Sequence, residues 1–128
     1  MLWFRKDRRT EIWDENIQWP IGDIEAAQKI RDICHFAADS AEKVNRFADR
    51  AAKTNNAYDT ERYERAVKTA MEVAFKMSDD LMRDSAVRQI VGLCMKANSL
   101  KTAQILVRGI QAVSIREDVF NDHPILRK

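Results

Sequence analysis

The chain is poor in the residues that interrupt regular structure and in those that cross-link it. Its 128 residues include 3 glycines, 2 prolines and 2 cysteines. Strands joined by turns normally use more glycine and proline, so this scarcity favours an all-α protein. Cys34 and Cys94 have no CxxC partner and fall on apolar helical faces. We interpret both as buried, reduced thiols, which favours a reducing compartment.

Long hydrophobic runs are missing too. No stretch approaches the roughly 18 consecutive apolar residues of a membrane span. At the N-terminus, the charges from Arg5 to Arg9 follow the initial Met and only three further apolar residues, which leaves no room for the apolar core of a signal peptide. We therefore expect a cytoplasmic protein without a membrane span.

Neither sign of charge is in large excess. There are 22 basic and 20 acidic side chains, for a net charge of +2. From Leu81 onward eight basic residues accompany four acidic ones, so the last third is mildly basic. A dense basic run with interleaved aromatic residues, which would favour nucleic-acid binding, is absent. This distribution favours a solvated helix surface, with binding to nucleic acid or an acidic partner as the alternative.

Familiar catalytic motifs are also lacking. The glycines are isolated, so no phosphate-binding loop is present, and HExxH does not occur. Asp32, His35 and Asp39 share one helical face, but no second histidine with paired carboxylates is predicted opposite them. Cys34 and His35 are adjacent in a helix and point about 100° apart, which prevents a thiolate–imidazole pair. We expect a protein that is not an enzyme and has no cofactor or metal.

Helical periodicity, by contrast, is abundant. A long first helix is predicted from Asp23 to Lys53, with Asp23 as its N-cap. Its inward positions alternate steps of three and four: Ala27, Ile30, Cys34, Ala37, Ala41, Val44, Ala48 and Ala51. The small alanines predict tight, nearly antiparallel packing against the next helix. Ile33 and Phe47 widen this stripe, and the polar segment 53–57 is predicted to be a turn.

Three or four shorter helices are predicted after that turn. The second starts at Asp59 or Thr60, and 78–80 ends it and caps the third. Asn98 closes the third in a left-handed conformation, and Ser99 caps the fourth. The inward positions of these helices are Tyr63, Val67, Ala70, Ala74, Met77, then Met82, Ala86, Ile90, Leu93, Cys94, Ala97, then Leu100, Ala103, Leu106, Val107, Ile110 and Val113. The capping box in 114–117 predicts a further short helix.

Part of this pattern repeats. Val67, Ala70, Val73, Ala74 and Met77 return 33 residues later as Leu100, Ala103, Leu106, Val107 and Ile110. A unit of that length is about one helical hairpin. With small residues at Ala74 and Ala86, where paired helices touch, residues 63–120 resemble tetratricopeptide-type repeats. The resemblance implies stacked helical hairpins. The predicted fold is thus an antiparallel array or bundle of four to five helices, or a superhelix of repeats.

Three segments are predicted. Residues 1–22 form an aromatic arm that contains all three tryptophans, residues 23–121 form one helical domain, and residues 122–128 form a tail anchored by Ile125 and Leu126. The arm either folds over the helices and buries its indoles or stays exposed to anchor a partner, a self-associating subunit or a membrane surface.

These features favour a non-catalytic interaction or adaptor module that binds a protein or peptide, or a second copy of itself as a homodimer. A small nucleic-acid-associated regulator is the alternative, and its binding would weaken steeply with salt. The predicted contact residues are Trp3, Trp13, Trp19, Arg83, Arg88, Arg108 and Arg116.

Overall fold

A computed structural model describes residues 11–15, 17, 19–46 and 53–127. This part of the chain is all-helical and contains no β-strand, which confirms the predicted fold class. Its five α-helices are α1 (Asp23–Arg46), α2 (Lys53–Phe75), α3 (Asp80–Lys96), α4 (Leu100–Arg108) and α5 (Val113–Asp122). Short 3₁₀ helices precede and follow them at Ile12–Asp14 and Pro124–Arg127. None of the helices described is long and apolar enough to cross a membrane.

The helices form an array in which α1, α3 and α5 begin at the same end. The Asp23 carboxylate, at the start of α1, accepts the amides of Ser78 and Asp79 immediately before α3. Helix α1 packs on both α2 and α3, whereas α4 and α5 each pack on α3. Helix α3 therefore lies at the centre of the array and contacts all four other α-helices.

The core lies mainly between the first three helices. Ile30, Ile33, Val73, Ile90 and Leu93 are almost fully buried there, and each contributes about 1.5–3 kcal/mol through removal of its side chain from water. Alanines separate the large side chains and let the helices approach closely; those with no measurable exposure on α1 and α2 are Ala37, Ala41, Ala66, Ala70 and Ala74.

The predicted seam of the first helix is confirmed in its described part. Ile30, Ala37 and Ala41 are buried, while Ala27, Cys34 and Val44 are half-buried. Phe47, Ala48 and Ala51 lie outside the described residues.

The predicted turn at 53–57 is wrong, because α2 begins at Lys53 and continues through these residues. Their polar side chains have modest helix propensities, and such preferences are easily outweighed by the packing of a long helix. In α2 the later residues Tyr63, Ala66 and Ala70 supply that packing against the core.

Predictions at the later helix ends were mostly correct. The Asp79 carboxylate caps α3 by accepting the amide of Met82 at 2.8 Å. Asn98 has the expected positive φ of 60°. Ser99 occupies the N-cap position of α4, but its side chain makes no capping hydrogen bond. Of the two predicted anchors of the tail, Leu126 is buried, whereas Ile125 is 49% exposed because it points away from the helices.

The start of the last helix differs from the prediction in detail. Helix α5 follows Ala112, so Ser114 lies inside it and does not cap it. Val113, predicted to point inward from the fourth helix, is exposed because α4 already ends at Arg108. The amides of Gln111 and Ala112, just before α5, are bound by a carboxylate from α3. A distant carboxylate thus holds the residues before α5, while the helix itself has no side-chain cap.

The 33-residue echo corresponds to a repeated helix–turn–helix junction. Helix α2 ends at Phe75 and α3 begins at Asp80. The same two events recur 33 residues later, where α4 ends at Arg108 and α5 begins at Val113. In each following helix an arginine donates through Nη1 to the carbonyl oxygen six residues earlier, from Arg83 at 3.2 Å and from Arg116 at 2.7 Å. The two junctions therefore share helix ends and an arginine contact.

Candidate binding groove

An apolar groove lies between the C-terminal part of α2, the N-terminal part of α3 and α4. Its cavity has a volume of about 200 Å³, and its apolar lining consists of Met71, Phe75, Val87, Ile105 and Leu106. Phe75 is 71% exposed and Ile105 is 57% exposed, although both belong to well-formed helices. Two large apolar side chains are thus exposed to solvent, one on each side of an apolar cavity.

Two charged residues of α3 connect the walls of this groove. Asp84 is 3% exposed, and its Oδ2 accepts the amide of Gln111 at 3.2 Å and that of Ala112 at 2.9 Å. Arg83 donates to the carbonyl of Met77 and to the carboxylate of Asp80. Asp84 thereby fixes the loop after α4 against α3, and Arg83 fixes the turn after α2.

The Asp84 contact has a counterpart two helices earlier. Asp23 accepts the amides of Ser78 and Asp79 at 2.9 and 2.7 Å, and these two residues stand 33 positions before Gln111 and Ala112. Because charged acceptors form stronger hydrogen bonds than neutral ones, both turns are held firmly. The groove is therefore built between rigid junctions.

The structure brings two of the four predicted arginines to the groove. Arg83 lines it, and Arg108 lies one helical turn after Ile105 on the exposed side of α4. Arg88 instead pairs with Asp118 and Asp122 of α5. The guanidinium of Arg116 is engaged by the Ile110 carbonyl.

The predicted tryptophans have different environments. Trp13 is 4% exposed and packs within this chain, with the Arg62 guanidinium 4.9 Å from its ring centroid. Arg62 also makes two hydrogen bonds to Glu11, which raise the pKa of the arginine. Thr69 donates to the Trp13 carbonyl. This part of the arm therefore folds over α1 and α2, one of the two predicted alternatives.

Of the other two tryptophans, the structure describes only Trp19. Trp19 is 37% exposed and carries the Lys76 ammonium 5.1 Å from its ring centroid. Trp3 lies outside the residues that the structure describes.

A second, polar cleft of about 350 Å³ lies between α3 and the end of α5, where Arg88, Asp122 and His123 line it. The ion pairs of Arg88 with Asp118 and Asp122 neutralise its charge within the chain. Its lining contains no exposed large apolar side chain of the kind that Phe75 and Ile105 supply to the apolar groove, so this cleft is a weaker candidate.

The described part of the chain was compared with two kinds of reactive site, a metal cluster and an activated thiol. No cluster of three His, Cys, Asp or Glu suited to a metal ion occurs there. Burial raises the pKa of the Cys34 thiol to about 12 and also raises that of Cys94. Both thiols are thus protonated near neutral pH, and a protonated thiol is a poor nucleophile.

Sequence reasoning missed Phe75, Ile105 and Asp84. The first two fall off the inward stripes of their helices, and a large apolar residue on an otherwise polar face was an available signal. Asp84 gave no local signal, because its amide partners are 27 and 28 residues away.

Comparison with known proteins adds no relative. Scans against protein-family models, curated proteins and solved structures each find no match.

Proposed function

We propose that this protein is a non-catalytic interaction module that binds an apolar segment of another protein in the groove between α2, α3 and α4. The exposure of Phe75 and Ile105 beside an apolar cavity is the observation that carries this proposal. Burial of such side chains at about 25 cal/mol per Å² is a principal source of binding energy. Interfaces commonly rely on a few large side chains inserted into pockets of this kind.

The size of the cavity favours a side chain over a metabolite. Its volume of about 200 Å³ is below the ~300–1,000 Å³ of pockets that enclose drug-sized ligands. It is open to solvent between α2, α3 and α4, as in proteins that receive an apolar helix face in a groove. The repeated junctions support the proposed kinship with helical-hairpin repeats, whose neighbouring units create binding surfaces.

Nucleic-acid binding is less well supported by the charges. Residues 85–116 contain no Asp or Glu and five cations, which are Arg88, Lys96, Lys101, Arg108 and Arg116. Arg88 and Lys96 are paired with carboxylates, and Arg116 is bound to a carbonyl. Proteins that grip a duplex use on the order of 6–10 phosphate contacts. The remaining Lys101 and Arg108 are too few for such a set of phosphate contacts, so the observations favour a protein ligand. We propose that this protein acts in the cytoplasm.

Peptide selection tests the groove directly. A library of random peptides displayed on phage is selected against the purified protein, and enriched peptides are synthesised and titrated by calorimetry. We expect Phe75→Asp or Ile105→Asp to weaken binding by at least about tenfold, because a carboxylate would be desolvated in the groove. Ile24→Asp is the matched control, since Ile24 is 80% exposed on α1.

The proposal is wrong if enriched peptides bind the two groove variants as tightly as the original chain, provided that circular dichroism shows all variants folded. A second copy as occupant would appear as a molar mass above that of the monomer in light scattering, reduced by Phe75→Asp. That result would make the groove a homodimer interface.

A further inference from the structure

We propose that the groove selects segments in which carboxylates flank the apolar anchor, with Lys101 and Arg108 as their partners. This inference rests on the proposed function, and it specifies the chemistry of the bound segment. Its basis is the distribution of charge on α4, which is independent of the apolar lining.

The two cations bracket the exposed apolar side chain of α4. Lys101, Ile105 and Arg108 are spaced by four and three residues, so they lie along one stripe of the helix. All three are exposed, and Ile105 lines the groove. When an apolar side chain of a ligand contacts Ile105, the ligand residues on either side of it therefore lie next to Lys101 and Arg108.

Both cations are available for a ligand. Neither forms an ion pair with any residue that the structure describes, whereas eight other cations do; the paired ones are Lys29, Lys43, Arg62, Arg65, Arg83, Arg88, Lys96 and Arg127. Helix α4 itself carries no acidic residue. A carboxylate placed here would therefore meet positive charge that no acid on the same helix neutralises.

The opposite wall has a different charge pattern. On α2, Glu72 precedes Phe75 by three residues, and Lys68 precedes Glu72 by four. Both are exposed, so this wall carries one charge of each sign. Charge complementarity therefore orients the ligand, because its acidic side is favoured next to α4, where both charges are positive, over the α2 wall, where the two charges offset each other.

Spacing limits the ligand further. Lys101 and Arg108 are seven residues apart, which at 1.5 Å per residue is about 10 Å along the helix axis. Carboxylates seven residues apart on a ligand helix have the same separation. A helix aligned with α4 would place an apolar residue three or four positions from each acid, opposite Ile105. We therefore expect an amphipathic helix with acids two turns apart and an apolar anchor between them.

The test begins with a displayed library of amphipathic helical peptides in which the positions three and four residues from a fixed leucine are randomised. Asp and Glu should be enriched at these positions over the unselected library. Replacement of the selected acids with Asn and Gln should weaken binding about tenfold, and higher salt should reduce the difference. The double change Lys101→Glu and Arg108→Glu should cause a similar loss and favour peptides with lysines at these positions.

Arg31→Glu is the control, because Arg31 is an exposed cation on α1 that bonds to Gln28. If bound peptides depend on Phe75 but show no acid enrichment and ignore the double reversal, the charge inference fails and the groove proposal stands. If no selected peptide depends on Phe75, the groove proposal fails as well. Tighter binding of a single-stranded oligonucleotide, lost on the double reversal, would assign the two cations to nucleic acid and overturn the inference.

Discussion

Replacement of Asp84 with alanine should cause a large loss of stability, because this side chain joins two hairpins. Its buried carboxylate accepts two backbone amides at 3.2 and 2.9 Å. Hydrogen bonds to charged groups contribute about 1.5–3 kcal/mol each. Removal of the carboxylate also relieves the cost of its own burial. We expect a net loss of about 2–4 kcal/mol in the free energy of unfolding, and a fall in Tm on the order of 10 °C.

Two variants separate this contact from general effects of mutation. Asp84→Asn keeps an oxygen that can accept hydrogen bonds from both amides but removes the charge. Its loss of unfolding free energy should therefore be about half that of Asp84→Ala. Asp118→Ala removes a half-exposed acid that pairs with Arg88 at 3.5 Å, and should cost about 0–1 kcal/mol. Urea denaturation of all three variants supplies the comparison.

Hydrogen exchange provides a local measurement for the same prediction. In Asp84→Ala the amides of Gln111 and Ala112 lose their acceptor, so they should exchange faster than in the original chain. The reasoning about Asp84 is refuted if its alanine variant is no less stable than Asp118→Ala and these two amides exchange at unchanged rates.

Three other perturbations test the packing and the buried ionisable groups. Ile90→Ala should lower the free energy of unfolding by about 2–5 kcal/mol, because Ile90 is fully buried. Ile24→Ala, on the surface, should lower it by less than about 0.5 kcal/mol. Urea denaturation measures both, and equal losses would contradict the assigned core. Arg62→Met should lower the free energy of unfolding by about 1–3 kcal/mol, because it removes the contacts of Arg62 with Trp13 and Glu11. An unchanged denaturation midpoint would show that these contacts contribute nothing. The pKa of Cys34 is higher in the folded chain than in the unfolded one, so the contribution of this thiol to folding stability is present below pH 9 and is lost as the pH rises towards 12. Thermal melts at alkaline pH should therefore show a smaller loss of stability in Cys34→Ala than in the original chain. Identical pH profiles of the two proteins would refute this.

Much of the architecture could be predicted because it depends on local chemistry. Asp79 caps α3 with its own carboxylate, and Asn98 adopts the left-handed conformation that closes the same helix. Both effects act within a few residues, so the sequence pattern indicates them directly. The wrong turn at 53–57 shows the limit, because polar residues of weak propensity continue a helix when the following turns are well packed.

The binding surface was less predictable. Arg83, Arg88, Arg108 and Arg116 are similar in sequence terms, yet ion pairs and carbonyl contacts occupy three of them and leave Arg108 beside the groove. Whether a surface charge is free depends on which acids its neighbours in space provide. That information is absent from helical periodicity.

The sequence by itself determined an all-helical chain, the ends of several helices and a junction repeated after 33 residues, since these follow from side-chain spacing and local hydrogen bonding. Only the tertiary structure decided that Trp13 is buried, that Asp84 joins α3 to the loop before α5, and that Phe75 and Ile105 border one groove. Each of these facts joins residues 27 to 56 positions apart. Such contacts exist only after the helices pack, because packing selects which of many possible distant partners actually meet.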